Sequence, residues 1–299
     1  EWGPGNTLAS AALTGAYYMP TKLVQKVTDV ARALVGEDTV PQYRPELSKG
    51  GVKRSKAFGT RIGAPGAEPA GVFVPACVNS MFGPQGEGVG ASEAFAKLVE
   101  RAGLALTVPE DIDGMCCGTP WASKGMSTGH DIMQRRVNDQ LIAATDGGRL
   151  PVVVDASSCT HGFRDMAEGI GITVIDAIEF VEDQVIGRLE VKQKVDSVTL
   201  HPTCSATHLG IVDTLARVAG AVAEDVRVPA EWNCCGYAGD RGMLHPELTH
   251  AATKREAAQA TGLGSACHAS SNRTCELGLT AATGEDYEHI LEILERVSR

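Results

Sequence analysis

The chain has 299 residues, 43% of them apolar and 21% charged, with a formal net charge of −10. That is the profile of a globular protein with a proper buried core, and its acidic balance excludes a nucleic-acid footprint, which needs a net basic face. No apolar run approaches the roughly 18 residues of a membrane helix, and no basic stretch followed by an apolar one opens the chain as a secretory signal would. The first residue is Glu1 rather than Met, and Glu1-Trp2-Gly3-Pro4-Gly5 suggests a cut inside a longer polypeptide.

Residues 1 to about 35 are expected to be helical, because Leu23, Val27, Val30 and Leu34 recur at helical spacing and Gly36 supplies a stop. Residues 36–70 show no sustained period and are rich in Pro and Gly, so they are expected as loop, with Lys49, Lys53, Arg54 and Lys56 forming a solvated basic face. From residue 71 short apolar strands alternate with helices, the pattern of a parallel α/β sheet. Predicted in order are a strand at Val72-Phe73-Val74, a helix from Ala91 to Arg101, a strand from Leu104 to Val108 and a helix from His130 to Ala144. Strands at 151–155 and 172–175 follow, then a helix from Ile178 to Leu189. The pattern then restarts with a strand at 197–201, a helix from Ala206 to Ala219, a strand at 226–228 and a helix from Leu248 to Gln259. Tyr287, Ile290, Leu291 and Leu294 mark an amphipathic closing helix that packs on the core. The predicted division is a helical arm and linker over 1–70 and two α/β halves over 71–192 and 193–299.

Nine cysteines are present, and an odd count in a chain this long does not suggest a disulfide framework. Cys116-Cys117 and Cys234-Cys235 are adjacent in sequence. Neighbouring Cα atoms lie about 3.8 Å apart, below the roughly 4.4–6.8 Å of an unstrained disulfide. Reduced thiols, and hence a cytoplasmic location, are expected.

The cysteines follow a duplicated order. Val74-Pro75-Ala76-Cys77, Met115-Cys116-Cys117-Gly118 and Ala156-Ser157-Ser158-Cys159 are echoed by His201-Pro202-Thr203-Cys204, Asn233-Cys234-Cys235-Gly236 and Asn272-Arg273-Thr274-Cys275. Ligand sites in open α/β sheets lie at the carboxyl ends of the strands, so four thiols from separate loops can meet in each half. Thiolates are soft ligands for iron–sulfur clusters or zinc. Structural zinc usually takes C-x₂₋₄-C chelates, and this chain has no Cys-x-x-Cys. Adjacent cysteines are expected to point apart and to reach different metal atoms of a cluster. Gly118 and Gly236 are expected to let the backbone turn and to offer N–H groups to sulfur.

With its two CCG triplets in register, the sequence resembles the cysteine-rich CCG domain family, which includes the cysteine-rich subunit of heterodisulfide reductase and the iron–sulfur subunits of glycolate and lactate oxidation systems. The runs at 155–162 and 270–276 resemble the carboxy-terminal part of fused FAD- and Fe–S-binding dehydrogenases of D-lactate or D-2-hydroxyglutarate. The resemblance spans roughly residues 70–299. It implies two pseudo-symmetric Rossmann-like parallel-sheet CCG domains and metal ligands at Cys77, Cys116, Cys117 and Cys159 and at Cys204, Cys234, Cys235 and Cys275. The family's final Cys-x-x-Cys is reduced here, with Ala156 and Asn272 in place of its first cysteine. Four thiols per half remain, which suit one or two [4Fe-4S] clusters, with zinc as the option for one half.

The resemblance further implies an electron-transfer module of an FAD-linked 2-hydroxy-acid dehydrogenase. Its partners would be a flavin dehydrogenase domain and a ferredoxin-type domain of the parent chain, and a quinone or other acceptor. No Gly-x-Gly-x-x-Gly follows a strand here, so FAD would sit on the parent domain and the fragment alone would not oxidise substrate. The competing readings are a heterodisulfide reductase-like catalytic subunit and a zinc-bound scaffold. The location implied is cytoplasmic, including the inner face of the membrane. Cys267 lies outside the repeat and is expected to be buried and inert. His161, His201 and His245 are expected in hydrogen-bonded supporting roles, Trp121 and Trp232 as core filler, and Arg273 as either a counter-charge to a cluster or an ordinary salt bridge.

Overall fold

The computed structural model describes residues 2–86 and 88–299; Glu1, with its suggestion of a cut end, lies outside them. The arm is two helices, α1 (Trp2–Tyr17) and α2 (Thr21–Val35), where one was expected. Pro20 marks the break, since it has no N–H to give to a preceding turn. Gly36 ends α2 at φ +110° and returns its N–H to the Arg32 carbonyl at 2.9 Å.

Residues 36–70 are not all loop. They hold a short helix α3 (Arg54–Phe58) and strand β1 (Arg61–Gly63), and strand β2 (Pro69–Val74) starts within them. Elements of five and three residues are too short to register a hydrophobic period. Lys49, Lys53 and Lys56 are exposed as expected, but Arg54 is buried.

The first half continues through α4 (Cys77–Met81), α5 (Ala91–Arg101), β3 (Ala105–Thr107), α6 (Thr119–Ser123), α7 (Ser127–Ala144), β4 (Val152–Val154), α8 (Ser157–Met166), β5 (Val174–Asp176) and α9 (Ala177–Phe180). Beyond α9 the backbone passes through a π turn (Val181–Val185) and a 3₁₀ turn (Ile186–Arg188) instead of one α-helix to Leu189. The second half comprises β6 (Val195–Leu200), α10 (Cys204–Leu209), α11 (Val212–Val222), β7 (Ala223–Arg227), α12 (Arg241–Leu244), α13 (Pro246–Leu263), β8 (Cys267–Ser270), α14 (Arg273–Thr283), β9 (Tyr287–His289) and α15 (Ile290–Val297). Gly210, left-handed at φ +74°, ends α10 and divides the helix expected from Ala206 to Ala219. Tyr287 belongs to β9, not to the closing helix.

The sheets run β1-β3-β2-β4-β5 and β7-β6-β8-β9. All pairings are parallel except β1 against β3. Without the antiparallel edge strand β1, the two orders superpose: β2, β3, β4 and β5 correspond to β6, β7, β8 and β9. The chain is thus an α/β protein with two Rossmann-like parallel sheets. Strands such as Val152-Val153-Val154 are completely buried, as parallel strands covered on both faces must be. The duplication extends to helix caps. Asp176 accepts the Ile178 N–H at 3.0 Å to start α9, and His289 accepts the Leu291 N–H at 3.3 Å to start α15.

One apolar core joins the halves, including Phe73, Phe95 and Val153 on one side and Leu200, Leu215 and Leu294 on the other. Helix α5 packs on α15, and α8 on α10. No helix among the described residues is long and apolar enough to cross a membrane.

Candidate metal centres

Each half brings its single cysteine, its adjacent pair and its last cysteine into one pocket at the carboxyl ends of the strands. Cys77 starts α4 just after β2, and Cys159 lies in the first turn of α8 just after β4. Cys204 starts α10 after β6, and Cys275 lies in the first turn of α14 after β8. The pairs sit in the loops after β3 and β7, and all nine cysteines are free of disulfides.

In the first half the sulfurs form a closed ring. Cys116 is paired with Cys117 and Cys77, and Cys159 with Cys117 and Cys77. Hydrogen bonds from Cys116 and Cys159 outweigh burial and pull the Cys117 thiol well down, while the hydrogen bond to Cys117 is the largest cause raising Cys116 and Cys159. All four are buried.

The second half forms an open chain of contacts from Cys204 to Cys234, Cys235 and Cys275. Cys235 and Cys275 are buried with their sulfurs 3.0 Å apart, whereas Cys204 and Cys234 are exposed. The second centre therefore opens to solvent where the first does not. Hydrogen bonds from Cys204 and Cys235 lower Cys234, and Cys275 falls to about 6 through Cys235 and, against burial, His201.

The adjacent thiols of each pair thus act on one another, which corrects the expectation that they point apart. The left-handed glycine behind each pair, Gly118 at φ +78° and Gly236 at φ +67°, folds the loop back. Gly236 donates its N–H to Cys234 Sγ at 3.5 Å. At Asn272, where the family pattern has a further cysteine, the side-chain amide reaches Cys275 Sγ at 3.8 Å.

Three supporting residues were not expected from the sequence. Arg54 donates to the carbonyls of Pro75 and Met115, each at 2.9 Å, and so ties the Cys77 loop to the Cys116 loop. Asp155, fully buried, accepts the Ala76 N–H at 2.6 Å and is hydrogen-bonded to Ser92. Glu256 on α13 is hydrogen-bonded to His201 Nδ1 at 2.6 Å. Asp155 had a usable signal, a lone carboxylate ending an all-valine strand; Arg54 and Glu256 had none, since each acts across a long stretch of chain.

Burial pulls the His201 ring down, but Cys275 and Glu256 together raise it to about 9. His161 Nδ1 lies 3.0 Å from Asp165 Oδ2, and its ring meets His208 edge-on at 5.8 Å. His245 bridges Asp38 and Glu247. Arg273 forms an ordinary buried salt bridge with Glu276 at 3.1 Å and anchors the linker through Ser48 and the Gly83 carbonyl. The linker residues Tyr43 and Leu47 pack in one cluster with Cys235 and Cys275. Trp121 is half-buried against the core and Trp232 is half-buried. Cys267 is half-exposed on β8 beside Arg296, not buried, and stands outside both quartets.

An all-thiol donor set suits iron–sulfur or another soft-metal centre. Among the described residues no three His, Cys, Asp or Glu donors are spaced to hold a single ion as they stand. At a Zn–S distance of about 2.3 Å, two thiolates on one tetrahedral ion lie about 3.8 Å apart, so a bound group must part Cys235 from Cys275.

The comparisons with known proteins agree with this geometry. A relative called lactate utilization protein A, from Macrococcus caseolyticus (strain JCSC5402), is 26% identical over 163 residues, which is 49% of this chain and 63% of the relative. The chain thus spans under two thirds of that relative's length. The family model for the cysteine-rich CCG domain matches twice, over residues 73–164 and 198–280, and together the matches cover more than half of the sequence. The chain belongs to the cysteine-rich CCG domain family.

Proposed function

We propose that the chain is an iron–sulfur electron-transfer module of a lactate-type 2-hydroxy-acid oxidation system. The observation that carries this reading is the gathering of four thiols from three separate stretches of chain in each half, all at the carboxyl ends of the strands. Cys77, Cys116, Cys117 and Cys159 would hold one [4Fe-4S] cluster, and Cys204, Cys234, Cys235 and Cys275 a second. A bound cluster supplies one-electron chemistry. The chain's own residues exclude water from the first centre, leave one edge of the second open at Cys204 and Cys234, and aim N–H groups at its sulfurs.

The lactate utilization relative supports a hydroxy-acid donor. Flavin would take electrons from D-lactate or D-2-hydroxyglutarate on a separate dehydrogenase domain, with a ferredoxin-type domain and a quinone or other acceptor completing the route. The working location is the cytoplasm or the inner face of its membrane. The test is to isolate the complex containing this chain anaerobically and add either acid. Bleaching of the visible cluster absorbance by a hydroxy acid is expected. Bleaching only by a thiol donor would instead favour the disulfide-reducing reading.

A further inference from the structure

The two halves share a fold but not the lining of their centres. Three residues before the first cysteine the first half has Val74, buried, and the second has His201, also buried. Helices α7 and α13 each have 18 residues and, counted from their first, carry Val137 and Glu256 at the same place. Where the first half places two valines, the second therefore places a histidine hydrogen-bonded to a glutamate, both almost wholly buried.

A buried charged pair is no better for stability than apolar side chains of similar volume, and the first half shows that this architecture holds with valine at both positions. The pair thus needs another reason. His201 Nδ1 is hydrogen-bonded to Glu256 at 2.6 Å, and its buried Nε2 has no hydrogen-bond partner among the described residues. The ring's other side-chain neighbour is the Cys275 thiol. A buried carboxylate that fixes an imidazole beside a sulfur ligand is an arrangement of the kind that tunes metal centres.

We infer that His201, oriented by Glu256, donates its Nε2 hydrogen to the Cys275 sulfur of the second centre and gives that centre a higher reduction potential than the first. This rests on the metallocentre reading above. Hydrogen bonds to cluster sulfurs stabilise the more electron-rich reduced state, and the first centre has only valine in the corresponding places. His201 is a positioning residue here, not a ligand.

The test compares the anaerobically purified native chain with His201→Leu, which removes the donor, and His201→Gln, which keeps a side-chain N–H. Iron content and EPR-monitored redox titration are read on all three. Expected are full iron in each, one potential shifted downward in His201→Leu with the other unmoved, and a smaller shift in His201→Gln. Two unmoved potentials in His201→Leu would overturn the inference. Loss of about half the iron in both variants would also overturn it, by making the imidazole a ligand. An iron-free native chain would overturn the metallocentre reading itself, and this inference with it.

Discussion

Arg54 donates to the carbonyl oxygen of Met115 at 2.9 Å, directly ahead of Cys116, although 61 residues separate the two in sequence. Its other arm holds the Pro75 carbonyl, two residues before Cys77. Arg54→Ala leaves two buried carbonyls without a donor and is expected to cost about 3 kcal/mol. Urea denaturation of native and variant protein measures this. Arg54→Lys should recover part of the loss, since an ammonium cannot span both oxygens in the guanidinium's planar geometry. An unchanged unfolding midpoint in Arg54→Ala would show that the clamp has no energetic role.

Gly162 and Gly278 stand three residues after the last cysteine of each quartet, but their surroundings differ. A Cβ at Gly162 would meet the Cys117 carbonyl oxygen at 2.5 Å, a backbone atom with little room to retreat. At Gly278 the nearest atoms are the Thr249 Cγ2 at 3.0 Å and the Tyr237 ring at 3.3 Å. Gly162→Ala should destabilise by about 1–3 kcal/mol and disturb the first centre, while Gly278→Ala should stay within about 1 kcal/mol. Thermal melts of the two variants side by side decide this, and equal losses would contradict it.

Burial pushes the Asp176 carboxyl up to about 7, against the hydrogen bond that Thr160 donates to it at 2.6 Å. In the unfolded chain the same group titrates near about 3.9. Between those values the folded state keeps a proton that the unfolded state has released, so stability falls as pH rises through the interval and levels off above about 7. The ceiling on this one group is on the order of 4 kcal/mol. Asp176→Asn should flatten the decline between about pH 4 and 7. A native-like slope in the variant would assign the pH dependence elsewhere, for example to Glu276, which burial raises to about 8 against the pull of the Arg273 charge.

Cys117→Ser and Cys235→Ser each remove a sulfur that has a neighbouring thiol on both sides in its own quartet. Each variant should lose the EPR signal of one centre and keep the other, and the two spectra should add to the native one. Identical spectra from the two variants would mean that the quartets do not hold separate groups.

The duplicated cysteine order made both pockets legible, because motif spacing and strand order point to the same sheet edge. The parallel α/β class followed from runs such as Val152-Val153-Val154, whose burial on both faces leaves no room for polar residues. Single elements were harder where backbone chemistry outweighed pattern. Gly210 turns left-handed and splits a helix whose apolar spacing runs on, and Tyr287 keeps helical spacing with Ile290, Leu291 and Leu294 yet lies in β9. The buried Arg54 sits among exposed lysines and looks like them in sequence; only the two carbonyls it meets distinguish it. The His201–Glu256 pair shows the same limit, since two polar residues 55 positions apart carry no local mark of their contact.

Metal analysis of the anaerobically purified chain is the most direct measurement. The account predicts a brown protein with iron and acid-labile sulfide in equal amounts and about four irons for each intact quartet. A colourless preparation free of iron, or one holding zinc alone, would contradict it.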